Sequence, residues 1–202
     1  MGIYRIKPRF QQSLGGAEAF LVRHRVHPDY VTLGALVLSI AGGVALWASH
    51  QAAWLLLFIP VVAIGRTALN ALDGLVARDL GVARPFGEVL NEFCDRLADV
   101  ALLVGASLAI HSNLLLGGVV VVVMLLSSYL AILSKAAGGR RQYGGVMGKA
   151  DRMIYLSVAS VVAFVLPEVP IFTYFLLLVL VGLAMTLAQR ARDTYADLQP
   201  RS

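Results

Sequence analysis

The chain has 202 residues, of which 58% are hydrophobic and 14% are charged, and its formal net charge is +5. Soluble domains are about 45–50% apolar and about 25% charged, so this composition excludes an ordinary soluble protein and indicates an integral membrane protein. The single cysteine, Cys94, cannot form an internal disulfide. The modest basic excess is typical of membrane orientation and contact with anionic membrane lipids, and it does not indicate nucleic-acid binding.

The N-terminal segment, residues 1–29, is expected to be cytoplasmic. Apolar residues recur at helical spacing over residues 9–25, which predicts an amphipathic helix lying in the membrane interface. The alternative is a solvated basic leader. The dipeptide His27-Pro28 is expected to end this helix, because a residue that precedes proline disfavours the helical conformation.

Six segments predict six membrane-spanning helices within a membrane domain of residues 30–192, since a span needs about 20 mostly apolar residues. The expected ranges are 30–49, 52–78, 86–110, 114–137, 149–166 and 170–192. The third range has a polar first half, and it is included because its second half is strongly apolar and its acids repeat at helical spacing. Residues 193–202 form the expected cytoplasmic tail.

Lysine and arginine residues outside the spans lie on one side of this arrangement. They concentrate before the first span and after the second, fourth and sixth, whereas the opposite loops, near His50, His111 and Glu168, have none. This pattern predicts a multi-pass protein of the cell (inner) membrane with both termini in the cytoplasm.

Polar side chains line one face of the second span and one face of the third. In chain order they are Arg66, Asn70, Asp73, Asn91, Asp95 and Asp99. A short loop joins the two spans, so we expect antiparallel neighbours whose polar faces meet near the cytoplasmic surface.

Charged groups inside membrane helices are energetically costly, so these side chains indicate a functional site. Carboxylate and amide oxygens favour Mg²⁺, Mn²⁺ or Ca²⁺ over zinc. The alternative is helix packing through small residues, with the acids paired to arginines.

The stretch from Asn70 to Asp95 resembles the signature of the CDP-alcohol phosphotransferases, D-x2-D-G-x2-A-R-x8-G-x3-D-x3-D. Asp73 and Asp95 match it, whereas asparagine stands at positions 70 and 91, where the signature has aspartate. The six helices and the amphipathic N-terminal helix are also similar to the family. The run Cys94-Asp95-Arg96 is most similar to bacterial phosphatidylinositol-phosphate-synthase-like members.

The resemblance implies transfer of a phosphatidyl group from CDP-diacylglycerol to an alcohol acceptor, with release of CMP. It implies Mg²⁺ or Mn²⁺ as the cofactor, Asp95 as the general base, and possible homodimers. The implied metal ligands are Asp73, Asp95, Asn70 and Asn91, with Asp99 as a helper. The implied nucleotide-pocket residues are Thr32, Gly74, Ala77, Arg78 and Gly87.

Basic residues near the fifth span are expected to bind the acceptor. They are Arg140, Arg141, Lys149 and Arg152. Arginine suits phosphate because its planar fork donates two parallel hydrogen bonds, so an acceptor such as glycerol phosphate or inositol phosphate is expected. For Arg140 and Arg141 the alternative is a role in topology and lipid contact.

Two other functions stay open at this stage. The asparagines at positions 70 and 91 favour a weakened or inactive homologue that binds CDP-lipid without turnover. A small transporter would also carry intramembrane carboxylates, but the charges crowd one side of the membrane, and the sequence has no inverted repeat.

Overall fold

The computed structural model describes residues 14–199, and the regular structure in this range is entirely helical, which confirms the all-α class. Seven α-helices follow one another within it. They are α1 (Gly15–Arg23), α2 (Pro28–Ala48), α3 (Ile59–Asp79), α4 (Pro85–Ser107), α5 (Leu114–Ala136), α6 (Lys149–Val165) and α7 (Ile171–Leu198). A 3-10 segment, Ala53–Phe58, leads directly into α3.

Four helical segments of the described chain are long and apolar enough to cross a membrane. They are Pro28–Ala48, Ala53–Asp79, Leu114–Ala136 and Ile171–Leu198. Helices α4 and α6 coincide with the third and fifth predicted spans but do not join this set. Helix α4 carries several charged residues in its first half, and α6 has 17 residues with a charged first turn. The six-span arrangement therefore stays a prediction.

The N-terminal helix α1 covers part of the expected amphipathic segment, and residues 9–13 of that segment lie outside the described range. None of the α1 residues is buried, and the helix packs against α3. At the other end of the chain, α7 continues to Leu198, so the expected tail begins as helix rather than as an irregular segment.

Prolines set the starts of α2 and α4. Pro28 stands in the first turn of α2, where its missing N–H removes no helical hydrogen bond, and the His27 side chain accepts from the Asp29 backbone N–H over 3.3 Å. Pro85 begins α4 in the same way. Between α3 and α4 the chain turns at Gly81, whose φ of 66° favours glycine.

Helix α2 packs closely against both α3 and α4, whereas α3 and α4 are not in close backbone contact with each other. Long polar side chains bridge them instead. Arg66 bonds Asp99, and one turn further along Asn70 bonds Asp95. The residue numbers rise on α3 as they fall on α4, so the two helices are antiparallel, as the short loop predicted. The gap between them, backed by α2, holds the candidate site.

Two glycines allow the close approach of α2 and α4. A Cβ atom built on Gly105 would lie 2.6 Å from the Cα of Gly43, which is shorter than any real contact. The backbones therefore touch in the C-terminal halves of α2 and α4, and this contact fixes the two helices against each other.

We expect Gly105→Ala to lower the free energy of unfolding by about 1–3 kcal/mol, because overpacking outweighs the helix-propensity gain of about 1 kcal/mol. Thermal unfolding in detergent measures the effect. Gly118→Ala is the matched control in α5, since a Cβ there meets open space. An unchanged unfolding temperature for Gly105→Ala would contradict the close approach.

Candidate active site

Asp73 on α3 lies where three helices meet, and it is only 4% exposed. The Thr32 hydroxyl on α2 donates to its Oδ2 over 2.9 Å, and the Asn91 amide on α4 donates to the same oxygen over 2.8 Å. The backbone N–H of Gly74 donates to Oδ1 over 2.6 Å. Thr32, expected in the nucleotide pocket, and Asn91, expected as a metal ligand, therefore meet at Asp73.

Asp95 on α4 faces donors from α3 and α6. The Asn70 amide donates to its Oδ1 over 3.0 Å, and the Lys149 ammonium donates to the same oxygen. Arg66 Nη2 lies 3.8 Å from that oxygen and donates to the Asp95 backbone carbonyl over 3.1 Å. No hydrogen bond from residues 14–199 reaches Oδ2 of Asp95, so one carboxylate oxygen remains able to accept a proton or bind a cation.

Asp99 is fully buried within an ion cluster. Its Oδ1 accepts from Arg66 over 2.7 Å, and its Oδ2 accepts from Arg152 over 2.6 Å. Arg96 Nη1 lies 3.4 Å from Oδ2. This arrangement differs from the expected role of Asp99 as a metal helper, because guanidinium groups already cover both carboxylate oxygens. The cluster ties α3, α4 and α6 together, as the arginine-pairing alternative predicted for this acid.

The expected nucleotide-pocket residues surround an open surface beside Asp73. Gly74 is exposed, and a Cβ there would meet open space. Ala77 and Gly87 are partly exposed. Arg78 is exposed, and its Nε donates to the Gly74 carbonyl over 3.1 Å. The small side chains leave room for a ligand against the α3 backbone.

An ion pair that the sequence did not suggest lies next to this surface. Arg84, in the turn between α3 and α4, donates to the Asp29 carboxylate in the first turn of α2. The pair joins the α3–α4 turn to the helix that carries Thr32. It therefore fixes one side of the candidate nucleotide pocket.

The expected acceptor residues divide into two groups. Lys149 and Arg152 contact Asp95 and Asp99, and Arg141 donates to the Glu92 carboxylate on α4, so all three face the site. Arg140 is different, because its side chain is 85% exposed and pairs with Asp197 on α7.

Arg141 is held in a fixed orientation between α4 and its own loop. Its guanidinium also lies over the ring of Tyr143, 4.9 Å from the ring centroid. Burial alone would lower the pKa of this guanidinium, but the hydrogen bond and charge of Glu92 raise the pKa above its usual value. The side chain therefore stays charged near neutral pH.

Arg190 is a site residue that the sequence analysis missed. It lies on α7, donates to the backbone carbonyls of Ser127 and Gly144 over 2.8 and 3.0 Å, and is within electrostatic range of Arg141 and Arg152. The sequence offered one signal, since Arg190 lies inside the sixth predicted span rather than beyond it. Its charge was attributed to topology because the end of α7 is rich in arginine.

The side chains of the site fit a divalent cation only if the amide oxygens of the two asparagines are counted as ligands with the carboxylates. Within the described range, no cluster of three or more His, Cys, Asp or Glu side chains is positioned to hold a metal ion. Asp73 and Asp95 each lie beside an asparagine, and the amide oxygens of Asn70 and Asn91 add hard ligands of the kind that Mg²⁺ and Mn²⁺ prefer. The donor set therefore fits such an ion but carries less charge than four carboxylates.

Comparison with known proteins identifies the family of the chain. The family model of the CDP-alcohol phosphatidyltransferases matches residues 25–186. The chain belongs to this family. The predicted family is thus confirmed, and CDP-alcohol phosphatidyltransfer is the activity class of the protein.

Relatives and solved structures extend the comparison. Inner membrane protein YnbA of Escherichia coli strain K12 is 33% identical over 168 residues, which cover 83% of each chain. Phosphatidylinositol phosphate synthase of Mycolicibacterium smegmatis is 28% identical over 144 residues, which cover 69% of this chain and 63% of the relative.

The synthase of the same name from Mycobacterium tuberculosis shares the fold of this phosphatidyltransferase. Its crystal structure with CDP-DAG bound gives a TM-score of 0.73 at 23% identity, covering 93% of this chain and 97% of that one. Its crystal structure in complex with manganese and citrate gives a TM-score of 0.74 at 24% identity, covering 93% of this chain and 92% of that one.

Proposed function

We propose that the protein transfers the phosphatidyl group of CDP-diacylglycerol to a phosphorylated alcohol and releases CMP. The observation that carries this proposal is the placement of two signature carboxylates, Asp73 and Asp95, with the partly buried Lys149 and the buried Arg152 in one gap between α3, α4 and α6. The acids suit a metal-bound pyrophosphate, and the cations suit an acceptor phosphate. Relatives titled phosphatidylinositol phosphate synthase support both the donor and the acceptor class.

We further propose that α2 to α7 all cross the inner membrane, with both termini and the site on the cytoplasmic side, and that the protein forms a homodimer. The asymmetric distribution of lysine and arginine supports the orientation. The charged turns of α4 and α6 are tolerable in a span because their charges pair with each other inside the bundle.

The nucleotide half of the site is assigned to the open surface beside Asp73. Thr32, Gly74, Ala77, Arg78 and Gly87 border it, and the small residues allow the cytidine and pyrophosphate to approach the α3 backbone. Arg78 is exposed and can turn its guanidinium from the Gly74 carbonyl to a phosphate.

A divalent cation, Mg²⁺ or Mn²⁺, would be held by Asp73 and Asp95 with the amide oxygens of Asn70 and Asn91. When bound, it supplies charge neutralisation for the pyrophosphate and polarises the reacting phosphorus. Asp99 is assigned a different role, as the buried anchor of Arg66 and Arg152, because its oxygens are already engaged.

The transfer itself needs a base and a positioned nucleophile. We assign Asp95 as the base, since its Oδ2 is able to take the proton of the acceptor hydroxyl while Lys149 and Asn70 fix Oδ1. The acceptor oxygen attacks the phosphorus that carries the diacylglycerol. The bond from that phosphorus to the oxygen of the CMP phosphate breaks, and CMP leaves with the electron pair.

The acceptor phosphate is assigned to Arg141, Arg152 and Arg190, with Lys149 between them and Asp95. Three guanidinium groups from the α5–α6 loop, α6 and α7 supply more positive charge than Glu92 and Asp99 neutralise. The planar guanidinium group of arginine binds two phosphate oxygens at once, so a phosphorylated acceptor would supply an anion for the positive charge that Glu92 and Asp99 leave unneutralised.

We expect Arg141→Gln to raise the KM for a phosphorylated acceptor at least about tenfold, because a hydrogen bond to a charged group contributes about 1.5–3 kcal/mol. The KM for CDP-diacylglycerol should change little. Arg140→Gln is the matched control, since this neighbouring arginine pairs with Asp197 instead. Steady-state kinetics with inositol phosphate as acceptor make the measurement. Equal acceptor KM values for the two variants would remove Arg141 from the acceptor site.

A second candidate function is a homologue that binds CDP-lipid without turnover. The amides at positions 70 and 91 favour it, because they remove two negative charges from the metal ligands of the family signature. Release of CMP from CDP-diacylglycerol separates the two candidates.

A further inference from the structure

We propose that this protein holds its divalent cation tightly only when the pyrophosphate of a CDP-alcohol is bound, so that metal and nucleotide bind cooperatively. The proposal rests on the proposed function, since it concerns the same donor and the same side chains. It assigns to Asn70, Asn91 and Lys149 a shared role, which is to keep the empty site too weakly anionic for the cation.

The first support is the crowding of nitrogen donors at Asp95. Its Oδ1 faces the Asn70 amide, the Lys149 ammonium and, 3.8 Å away, the Arg66 guanidinium. A divalent cation at this oxygen would displace a positively charged partner and would lie near a second one. Both effects oppose binding of a metal ion by itself.

The second support is the hydrogen bonding of the Asp73 carboxylate. Both of its oxygens already accept hydrogen bonds, from Thr32 and Asn91 on one side and from the Gly74 N–H on the other. Asn70 and Asn91 each donate a hydrogen bond from the amide nitrogen to a retained signature carboxylate. To ligate a cation, an amide has to turn its oxygen toward the site and give up that hydrogen bond.

A bound pyrophosphate changes this balance. It brings anionic oxygens, which Mg²⁺ and Mn²⁺ require and which the two amides cannot supply. It also gives Lys149 an anion other than Asp95, and an ammonium has three N–H donors to share between them. Metal and pyrophosphate therefore each provide the charge that the other needs, and by linkage each must raise the affinity for the other by the same factor.

The test is a titration of the purified full chain in detergent with Mn²⁺, in the absence and in the presence of saturating CDP. Electron paramagnetic resonance reports free Mn²⁺, and a protein-free titration corrects for the Mn²⁺–CDP complex. We expect CDP to lower the Mn²⁺ Kd at least about tenfold and Mn²⁺ to lower the CDP Kd by the same factor. Cytidine, which has no phosphate, should leave the Mn²⁺ Kd unchanged.

Matched variants locate the cause in the three side chains. Asn70→Asp with Asn91→Asp should bind Mn²⁺ alone at least about tenfold more tightly than wild type and should lose most of the coupling to CDP. Lys149→Gln should shift the Mn²⁺ affinity in the same direction. Asn70→Leu with Asn91→Leu has no acceptor oxygen and should weaken Mn²⁺ binding in the presence of CDP.

Failure of the cooperative proposal and failure of the proposed function would give different results. If wild type binds Mn²⁺ equally tightly with and without CDP while CDP does bind, the cooperative proposal is wrong and the proposed function stands. The same holds if the double aspartate variant keeps the wild-type coupling. If CDP does not bind at any Mn²⁺ concentration, the proposed function fails, and the cooperative proposal fails with it.

Discussion

Asp95→Asn is expected to lower kcat for CMP release by at least about 10³-fold. A positioned general base contributes about 10²–10⁴-fold, and the same substitution removes one of only two signature carboxylates available to a divalent cation. The amide oxygen at position 95 can still accept from Asn70 and Lys149, so the fold should be preserved. The loss is therefore a loss of chemistry rather than of structure.

The control for this variant is a carboxylate elsewhere on the chain. Asp193 lies on the exposed end of α7 and pairs with the adjacent Arg192, so Asp193→Asn should keep wild-type kcat. Initial rates of CMP release at saturating substrates make the comparison, with the unfolding temperature of each variant measured alongside. An Asp95→Asn protein that works within tenfold of wild type would show that Asp95 is neither base nor essential ligand.

Asp99→Asn is expected to cost about 3–5 kcal/mol of unfolding free energy, which is the usual penalty for leaving buried charges without their partner. The Asp99 side chain is 0% exposed and faces three guanidinium groups, of which that of Arg66 is also fully buried. Denaturant titration in mixed micelles measures the loss. Asp29→Asn, which breaks the exposed pair with Arg84, should cost less than about 1 kcal/mol.

A double-mutant cycle shows whether the cost comes from the ion pair. Arg66→Met combined with Asp99→Asn should cost clearly less than the sum of the two single substitutions, because contacting charges are coupled by about 0.5–3 kcal/mol. Strict additivity would mean that the two side chains do not stabilise each other. A small cost for Asp99→Asn alone would mean that the cluster does not tie α3, α4 and α6 together.

The helices were largely predictable from the sequence because their signals are local. Apolar runs placed the start of each long helix within two residues, except for α3, whose predicted start at 52 lies next to the 3-10 segment Ala53–Phe58 that leads into it. The end of α7 was placed six residues too early, at 192 rather than at Leu198. Its last turns are polar, so hydropathy reports where a membrane span ends and not where the helix ends.

The candidate site was predictable in part. Helical spacing correctly placed the polar faces of α3 and α4 opposite each other, because that relation needs only a periodicity and a short loop. The sequence offered pairing of the acids with arginines only as an alternative, and it did not identify Arg152 as a partner of Asp99, since this arginine reaches Asp99 from α6. Arg140 and Arg141 also looked equivalent, because a loop has no periodicity to say which side chain points inward.

The most direct test of the proposed transfer is the stoichiometry of CMP release by the purified protein. The reaction contains CDP-diacylglycerol, Mg²⁺ or Mn²⁺, and a panel of acceptors that includes inositol phosphate, glycerol phosphate and their unphosphorylated alcohols. We expect CMP and a new phospholipid in equal amounts, only with a divalent cation and only with a phosphorylated acceptor. Binding of CDP-diacylglycerol with no CMP release for any acceptor, by protein that is folded, would contradict the account and identify a binding protein instead.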